Sequence, residues 1–338
     1  MALAIGRGLV AAGVESVELM PLADGGEGTM DALMRAHHGH LATAEVSDPL
    51  GRPVSAAFAL LDDGRVACVE MAQASGLWRV GPEARDPLGS STRGTGELIA
   101  AALELGARRV IVTAGGSATT DGGRGALEAL GARFTKRMAD LTVLRKRLRG
   151  VKISVACDVR NPMCGPEGAA RVFAAQKGAD AERIDELENR LEEWATLARK
   201  TTGRDPADEP MAGAAGGLAG GLWAFAGAEL RQGALAVLEA LDFDTRMLDA
   251  FAVVTGEGRL DEQTLHGKAV FEVATRCRQS GVPCYAVVGR DDLDAFGKRL
   301  LNIEVAAASE FPSSAHPGDV ERAARRLAHR SLVTPTAP

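Results

Sequence analysis

The chain has 338 residues, of which 46% are hydrophobic and 25% are charged, and its net charge at pH 7 is −6. This length is roughly twice that of a common single domain, so two domains are expected. The acidic balance disfavours nucleic acid as a partner, because binding a phosphate backbone needs basic patches. No apolar run reaches the ~18 residues that a membrane span requires, and residues 1–10 are not apolar enough for a signal peptide.

The cysteines indicate a reducing environment. Their number is odd and none forms a short CxxC spacing, which argues against both a disulfide framework and a zinc site. We interpret them as reduced thiols of the core in a cytoplasmic protein. They are Cys68, Cys157, Cys164, Cys277 and Cys284.

The first predicted elements mix helices with an antiparallel excursion. Residues 2–12 have the pattern of a helix, residues 17–21 that of a short strand, and residues 30–34 begin a second helix. Between residues 44 and 70, short β-like runs are separated by turn signals, which predicts antiparallel hairpin structure.

Beyond residue 95, strands and helices alternate regularly. Repeated strand–loop–helix units predict an α/β fold with a mainly parallel sheet covered on both faces. The expected strands are residues 109–113, 152–157, 251–255 and 283–288, and the expected helices include residues 181–200, 267–278 and 317–330.

Four loops carry the residues suited to chemistry, and ligands of open α/β sheets bind where strands end and helices begin. The first loop, residues 24–29, holds Asp24 and Glu27 among glycines that include Gly25 and Gly26. Its backbone N–H groups can converge on an anion, and its carboxylates suit Mg²⁺ or a hydroxyl. A tight turn with a capping acid is the alternative.

The second loop, residues 115–123, follows a strand and opens a helix. Its amides, its hydroxyls and the helix dipole favour a bound phosphate. It is not a P-loop, because the GxxxxGK[ST] pattern is absent. A loop that only caps the helix is the alternative.

The third loop begins with Asp158, directly after a hydrophobic strand. A carboxylate in this position is a candidate general base or metal ligand, and an Asx turn ahead of Pro162 is the alternative.

The fourth loop, residues 255–268, is the densest cluster. It contains the acids Glu257 and Asp261, and the forked cation Arg259, which suits a carboxylate. Its Lys268 suits a phosphate, and a solvated loop is the alternative.

Two other features carry less weight. Gly94 and Gly96 lack the third glycine of a dinucleotide fingerprint, which disfavours NAD. His37, His38 and His40 are better explained as the end of a helix than as metal ligands.

Taken together, these loops resemble the bacterial glycerate kinase family of the glycerate 2-kinase type. The resembling segments occur in the family's order across most of the chain, and as a set they are highly specific. They are residues 21–29, 48–53, 70–77, 91–98, 115–125, 156–162, 176–178 and 255–268.

The resemblance implies phosphorylation of D-glycerate to 2-phosphoglycerate, with ATP and Mg²⁺ required. The charge and the apolar runs predict no nucleic-acid or membrane partner. It also implies two α/β domains with mainly parallel sheets, Rossmann- or flavodoxin-like, around a central cleft. The expected division is a discontinuous Rossmann-like domain, residues 1–40 plus 235–332, and a second α/β domain with the hairpin excursion, residues 41–234. Oligomeric state is left open, with a homodimer as one expectation.

The resemblance supplies positions, and the chemistry of the residue types supplies their roles. The expected catalytic residues are Asp158, Asp24 and Lys268, with Asp158 or Asp24 accepting the proton of the C2 hydroxyl. The expected substrate-binding residues are Gly25, Gly26, Glu70, Ser75 and Arg259. The expected ATP-binding residues are Gly115, Gly116, Ser117, Thr119 and Asp121, and the expected Mg²⁺ ligands are Glu257 and Asp261.

The sequence departs from the family's pattern in two places. Members begin with a hydrophobic strand and a lysine-bearing segment ahead of the first helix, whereas Met1 here opens directly on that helix, and Thr120 stands where the family has asparagine. Two alternatives therefore stay open: a kinase of another small hydroxy acid or sugar acid, and a catalytically impaired anion-binding member.

Overall fold

A computed structural model describes residues 1–23, 25–26, 28–266, 269–308 and 316–333, without the side chains of Gln263 and His266. The predicted catalytic residues Asp24 and Lys268 lie outside the described residues. Among the described residues, no helix combines the length and apolar character needed to cross a bilayer.

The described chain contains short strands and longer helices in alternation. The strands are β1 (His40–Ser47), β2 (Pro53–Leu61), β3 (Val66–Glu70), β4 (Arg109–Thr113), β5 (Arg133–Phe134), β6 (Ala139–Asp140), β7 (Lys152–Cys157), β8 (Glu229–Gln232), β9 (Val253–Thr255), β10 (Arg259–Leu260), β11 (Cys284–Val288), β12 (Arg290–Asp291) and β13 (Ile303–Ala307). The helices are α1 (Ala2–Ala11), α2 (Thr29–Ala36), α3 (Ala72–Ser75), α4 (Arg93–Glu104), α5 (Arg124–Ala129), α6 (Thr142–Arg147), α7 (Ala169–Phe173), α8 (Ala181–Thr202), α9 (Leu218–Ala226), α10 (Gly233–Ala240), α11 (Phe243–Leu248), α12 (Ala269–Ser280), α13 (Ala295–Leu301) and α14 (Pro317–Ser331).

These elements form two compact units. The central unit is Ala23–Val237, and the terminal unit is Met1–Leu22 together with the described residues from Leu238 onward. The first boundary falls after Leu22, whereas the sequence expectation placed it after residue 40. Helix α2 belongs to the central unit because it packs on β2 and β3 and its Met30 N–H donates to Glu70.

The central unit is built on a six-stranded sheet in the order β1-β2-β3-β4-β7-β8. Strands β1, β2 and β3 are antiparallel neighbours, and β3, β4, β7 and β8 run parallel. The register pairs Glu70 with Thr113, Thr113 with Ala156, and Ala156 with Arg231. The carboxyl ends of four strands therefore meet at one edge, which we call the carboxyl edge.

Burial along the strands explains this arrangement. All five residues of β3 are buried, as expected for a strand covered on both faces, whereas β1 exposes much of its length as an edge strand does. The β1–β2 turn is held by Asp48, which accepts from the N–H groups of Leu50 and Arg52, each at 2.9 Å. Gly51 supplies the left-handed conformation, at φ +81°, that the turn requires.

The amphipathic helix predicted at residues 181–200 is α8. Its apolar face buries Leu187, Leu191 and Trp194 against the core. The Trp194 indole N–H donates to Gly122 O at 2.9 Å, so this helix also fixes the far end of the loop after β4.

The terminal unit contains a parallel sheet in the order β13-β11-β9, covered on both faces. Alternate residues of β11 supply the two sides: Ala286 and Val288 pack with α12, and Val287 packs with α1 and α14. The strand predicted at residues 17–21 is wrong, because this segment has no ladder partner among the described strands. A cavity of 840 Å³ lies beside this segment, α1 and β9.

The five cysteines are all buried and carry free thiols, and their burial confirms the prediction that they are core residues.

Candidate functional site

The carboxyl edge of the central sheet brings together residues from three of the predicted loops. Glu70 is the last residue of β3, Gly115 comes two residues after β4, and Asp158 directly follows β7. Gly25 packs against the same edge: a Cβ there would lie 2.8 Å from Gly233 Cα and 3.2 Å from Ala156 O. With φ at +96° as well, this position accepts only glycine without strain.

Glu70 is a buried carboxylate at the start of α2. Its Oε1 accepts from the Met30 N–H at 3.0 Å, and its residue is only 4% exposed. A carboxylate in the first turn of a helix is stabilised by the unpaired N–H groups and the helix dipole. In the structure Glu70 thus fixes the loop that contains Gly25 and Gly26, and its predicted contact with substrate stays a prediction.

The glycine loop after β4 presents its amides on the accessible side. Its outer part is anchored by two backbone bonds, from Leu77 N to Gly116 O at 2.8 Å and from Ala118 N to Ser75 O at 3.0 Å. Within the described part of the chain, the N–H groups of Gly115, Gly116 and Ser117 donate to no protein acceptor. Gly116 is exposed and left-handed, at φ +68°, and successive unpaired amides in such a glycine loop are of the kind that can bind anions.

Two other side chains that were predicted to bind ligands are buried inside the protein instead. The Ser75 hydroxyl is fully buried and lies 2.8 Å from Thr95 Oγ1, so it holds α3 to α4. Thr119 is also fully buried, and its Oγ1 has no hydrogen-bond partner among the described residues. In this structure, therefore, neither side chain reaches the surface on which the amides of Gly115 and Gly116 lie.

Asp121 caps two helices. Its carboxylate accepts from Thr92 N and Thr92 Oγ1, both at 2.9 Å, from Gly123 N at 3.0 Å and from Gly125 N at 3.1 Å. These donors belong to the first turns of α4 and α5, which meet at this residue. These bonds fit the capping alternative left open by the sequence, and the predicted contact of Asp121 with ATP stays a prediction.

Lys177 was given no role by the sequence, although residues 176–178 contributed to the resemblance. Its Nζ donates to Ser117 Oγ at 2.8 Å and to Thr119 O at 2.6 Å. The residue is 2% exposed. Burial lowers the pKa of Lys177 to about 7, against the opposing charge of Asp121. No local sequence signal marks a lysine as buried, because burial here depends on a loop 60 residues away.

Asp158 is exposed at the end of β7 and interacts with other groups of the protein. Burial and, second to it, the Asp158 charge raise the pKa of the neighbouring Cys157 thiol. Cys157 is therefore a neutral core residue, and the predicted role of Asp158, the exposed carboxylate at this strand end, stays a prediction.

In the terminal unit, the loop after β9 is acidic and tightly folded. Glu257 Oε1 accepts from Thr264 Oγ1 at 2.7 Å, and Thr264 is fully buried. Thr264 N in turn donates to Asp261 O at 3.0 Å, which brings the two predicted metal ligands to one turn. Among the described residues, no group of three or more His, Cys, Asp or Glu side chains is placed to hold a metal.

Arg259 lies next to this turn and contacts acids of its own unit. Its Nε is 2.7 Å from Asp292 Oδ2 and 3.5 Å from Asp261 Oδ2. Arg290 also pairs with Asp292, at 2.7 Å. Desolvation opposes ionisation of Asp292, but the hydrogen bonds and charges of Arg290 and Arg259 outweigh it and lower the pKa of that carboxyl.

Comparison with known proteins agrees with the expected family. The model of the glycerate kinase family matches residues 1–332. Glycerate kinase of Bacillus subtilis (strain 168) is 45% identical over 292 residues, which cover 82% of this chain and 76% of that protein. Glycerate 2-kinase of Escherichia coli (strain K12) is 44% identical over 286 residues, which cover 80% of this chain and 75% of that protein.

A solved structure extends the likeness to the fold. The crystal structure described as glycerate kinase 2 from Salmonella typhimurium LT2 superposes with a TM-score of 0.82 at 38% identity. The match covers 97% of this chain and 92% of that chain, which confirms the predicted α/β fold class. The chain is therefore a kinase that belongs to the glycerate kinase family.

Proposed function

We propose that this kinase transfers the γ-phosphoryl group of ATP to the C2 hydroxyl of D-glycerate, giving 2-phosphoglycerate and ADP. The names of its relatives support the substrate, and the glycerate 2-kinase of Escherichia coli supports the position of transfer. The observation that carries the proposal is the carboxyl edge of the central sheet, where unpaired loop amides and the exposed carboxylate of Asp158 follow adjacent strands.

The amides of Gly115, Gly116 and Ser117 are the proposed donors to the phosphates of ATP. Backbone N–H groups at a glycine-rich loop bind anions without a formal charge of their own, and they are already oriented before the ligand arrives. Asp121 acts through this loop by fixing its far end at Gly123 and Gly125 rather than by touching ATP.

Asp158 is the proposed general base. It would accept the proton of the C2 hydroxyl as that oxygen forms a bond to the γ-phosphorus and the bond from phosphorus to the β-phosphate oxygen breaks. An exposed carboxylate at a strand end suits this role, since it can reach a ligand without rearrangement of the core. Asp24, which lies outside the described residues, is the other candidate for the base.

The acids Glu257 and Asp261 fit Mg²⁺ in their chemistry. Mg²⁺ prefers hard oxygen ligands and is held by one or two carboxylates together with phosphates and waters, so a larger cluster is not required. The bound ion would neutralise charge on the transferred phosphoryl group. We propose Arg259 as the partner of the glycerate carboxylate and Lys268 as a contact of the phosphates.

ATP is a cytoplasmic donor, and the five free thiols suit a reducing compartment, so both support the predicted cytoplasmic location.

The test is a product assay by phosphorus NMR with D-glycerate, ATP and Mg²⁺. We expect the resonance of 2-phosphoglycerate and stoichiometric ADP. Accumulation of 3-phosphoglycerate would overturn the proposed position of transfer. A panel of other hydroxy acids and sugar acids in an ADP-release assay should give lower kcat/KM than D-glycerate, and a better substrate in the panel would overturn the proposed acceptor.

A further inference from the structure

Lys177 is a buried lysine that has no carboxylate partner within the described part of the chain. Its two hydrogen-bond acceptors, Ser117 Oγ and Thr119 O, are both neutral. Among the described residues no carboxylate lies within ion-pair distance of it, and the oxygens of nearby Asp121 are occupied by Thr92, Gly123 and Gly125. Burying an ammonium group in this way is unfavourable unless a further interaction compensates for it.

The position of Lys177 indicates what that interaction is. Its ammonium contacts the glycine loop at Ser117 Oγ and Thr119 O, and Ser117 is one of the three residues whose amides donate to no described acceptor. Because Ser117 Oγ accepts from an ammonium, its own hydrogen is directed to another acceptor. Ser117 is partly exposed, so that hydrogen is available to a ligand on the accessible side of the loop.

We propose that Lys177 is a positioning residue of the phosphate site, which orients Ser117 and Thr119 from beneath and transmits its positive charge to the phosphates of ATP through the Ser117 hydroxyl. The inference rests on the proposed function and deepens it, by adding a buried lysine beneath the neutral amides of Gly115, Gly116 and Ser117. Polarisation along the chain from ammonium to hydroxyl to phosphate strengthens the last hydrogen bond.

A consequence is that ATP binding and protonation are linked. The charged groups around Lys177 are Asp121 from the loop after β4, Arg85, which donates to Gln176 O and lies against Gly178, and Asp180 at the start of α8. The pKa of Lys177 near 7 in the free protein would rise when a phosphate arrives, because the anion stabilises the charged form. Affinity for ATP should therefore be greatest below pH 7 and weaken as the pH rises above it.

The experiment compares Lys177→Met, which removes the charge, with Lys177→Arg, which keeps a charge that does not titrate. Lys152→Met is the matched control, since Lys152 is an exposed lysine at the first residue of β7, at the opposite end of that strand from Asp158. Wild-type turnover is measured first, then KM for ATP, KM for D-glycerate and kcat at several pH values.

We expect Lys177→Met to raise KM for ATP by about 10- to 100-fold, with KM for D-glycerate changed by less than about threefold. Ser117→Ala should raise KM for ATP in the same direction and add little in the Lys177→Met background, because both variants interrupt one chain of hydrogen bonds. Lys177→Arg should have a lower KM for ATP than Lys177→Met, and this KM should no longer depend on pH. Lys152→Met should behave as the wild type.

Calorimetry of MgATP binding in buffers of different ionisation enthalpy keeps the proposal testable even if the variants fail to fold. Because burial lowers the pKa of Lys177 in the free protein, the wild type should take up protons on binding, and the uptake should grow as the pH of the measurement rises through that pKa. A folded Lys177→Met variant with KM for ATP near that of the wild type would overturn the proposal, as would wild-type binding without proton uptake. A wild type without turnover on any acceptor would instead overturn the proposed function, and this inference with it.

Discussion

The loop after β4 and the loop after β9 look alike in sequence and differ in electrostatics. Both follow a parallel strand and are rich in glycine, and both carry acids. In the central unit the acid Asp121 accepts capping hydrogen bonds, Lys177 donates to Thr119 O of the same loop, and three amides of that loop donate to no described acceptor. In the terminal unit Glu257 and Asp261 share a turn with the buried Thr264. Unpaired amides such as those of the first loop can bind an anion, whereas carboxylates such as those of the second are ligands that Mg²⁺ prefers, so the two loops carry different predicted ligands.

The largest expected effect tests the carboxylate at the edge of the central sheet. Asp158→Asn should lower kcat by about 10²- to 10³-fold, because the amide cannot accept the proton of the attacking hydroxyl. Steady-state kinetics with D-glycerate measure this. Asp63→Asn, in the exposed turn between β2 and β3, is the matched control and should keep wild-type kcat. A loss of less than about tenfold in folded Asp158→Asn would refute the role of general base.

The second prediction concerns the use of Asp121 as a cap rather than as a ligand. Asp121→Ala should lower the free energy of unfolding by about 2–4 kcal/mol, since it leaves the N–H groups of Thr92, Gly123 and Gly125 without their acceptor. Urea denaturation measures the change. Asp121→Asn, which keeps one oxygen acceptor, should lose less. Unchanged stability together with a raised KM for ATP would instead favour a direct contact with the nucleotide.

The third prediction tests whether the acidic loop after β9 binds Mg²⁺. Glu257→Gln should raise the Mg²⁺ concentration for half-maximal activity by at least about tenfold. Loss of a charged ligand should lower the affinity for Mg²⁺ at least as much as loss of a residue that only hydrogen-bonds to a ligand. Titration of activity with Mg²⁺ at saturating ATP gives the value. Glu321→Gln, an exposed acid of α14, is the control. An unchanged Mg²⁺ requirement would remove Glu257 from the proposed metal site.

The smallest expected effect concerns the exposed pairs around Asp292. Its lowered pKa means that its contribution to stability is present above the unfolded value, near 3.8, and is lost as the pH falls through the folded value. Arg290→Met should move the pKa of Asp292 back toward 3.8 while Arg259 still holds it below that value. Carboxyl NMR titration measures this. A pKa that does not move would show that Arg259 alone sets it.

The regular elements could be predicted from local patterns. Strands β4 and β7 occur where the apolar runs place them, and α8 begins at the residue its periodicity indicates. The predicted strand at residues 17–21 fails because a strand also needs a ladder partner, which no local pattern supplies. Gly115 and Asp158 were correctly expected at strand ends, since the carboxyl ends of parallel strands meet at one edge. Gly25 lies at the same edge although residues 17–21 ahead of it are not among the described strands, because its backbone packs on Ala156 and Gly233.

The sequence by itself determined the α/β class, the family and the loops worth searching, because periodicity, turn residues and motif order are local properties. Only the tertiary structure decided which side chains those loops expose. Asp121 faces Thr92 across 29 residues of sequence, and Lys177 faces Ser117 across 60. Hydrogen-bond partners at such separations are set by strand order and helix packing. The burial of Lys177 and the helix capping by Asp121 therefore arise only when the chain has folded.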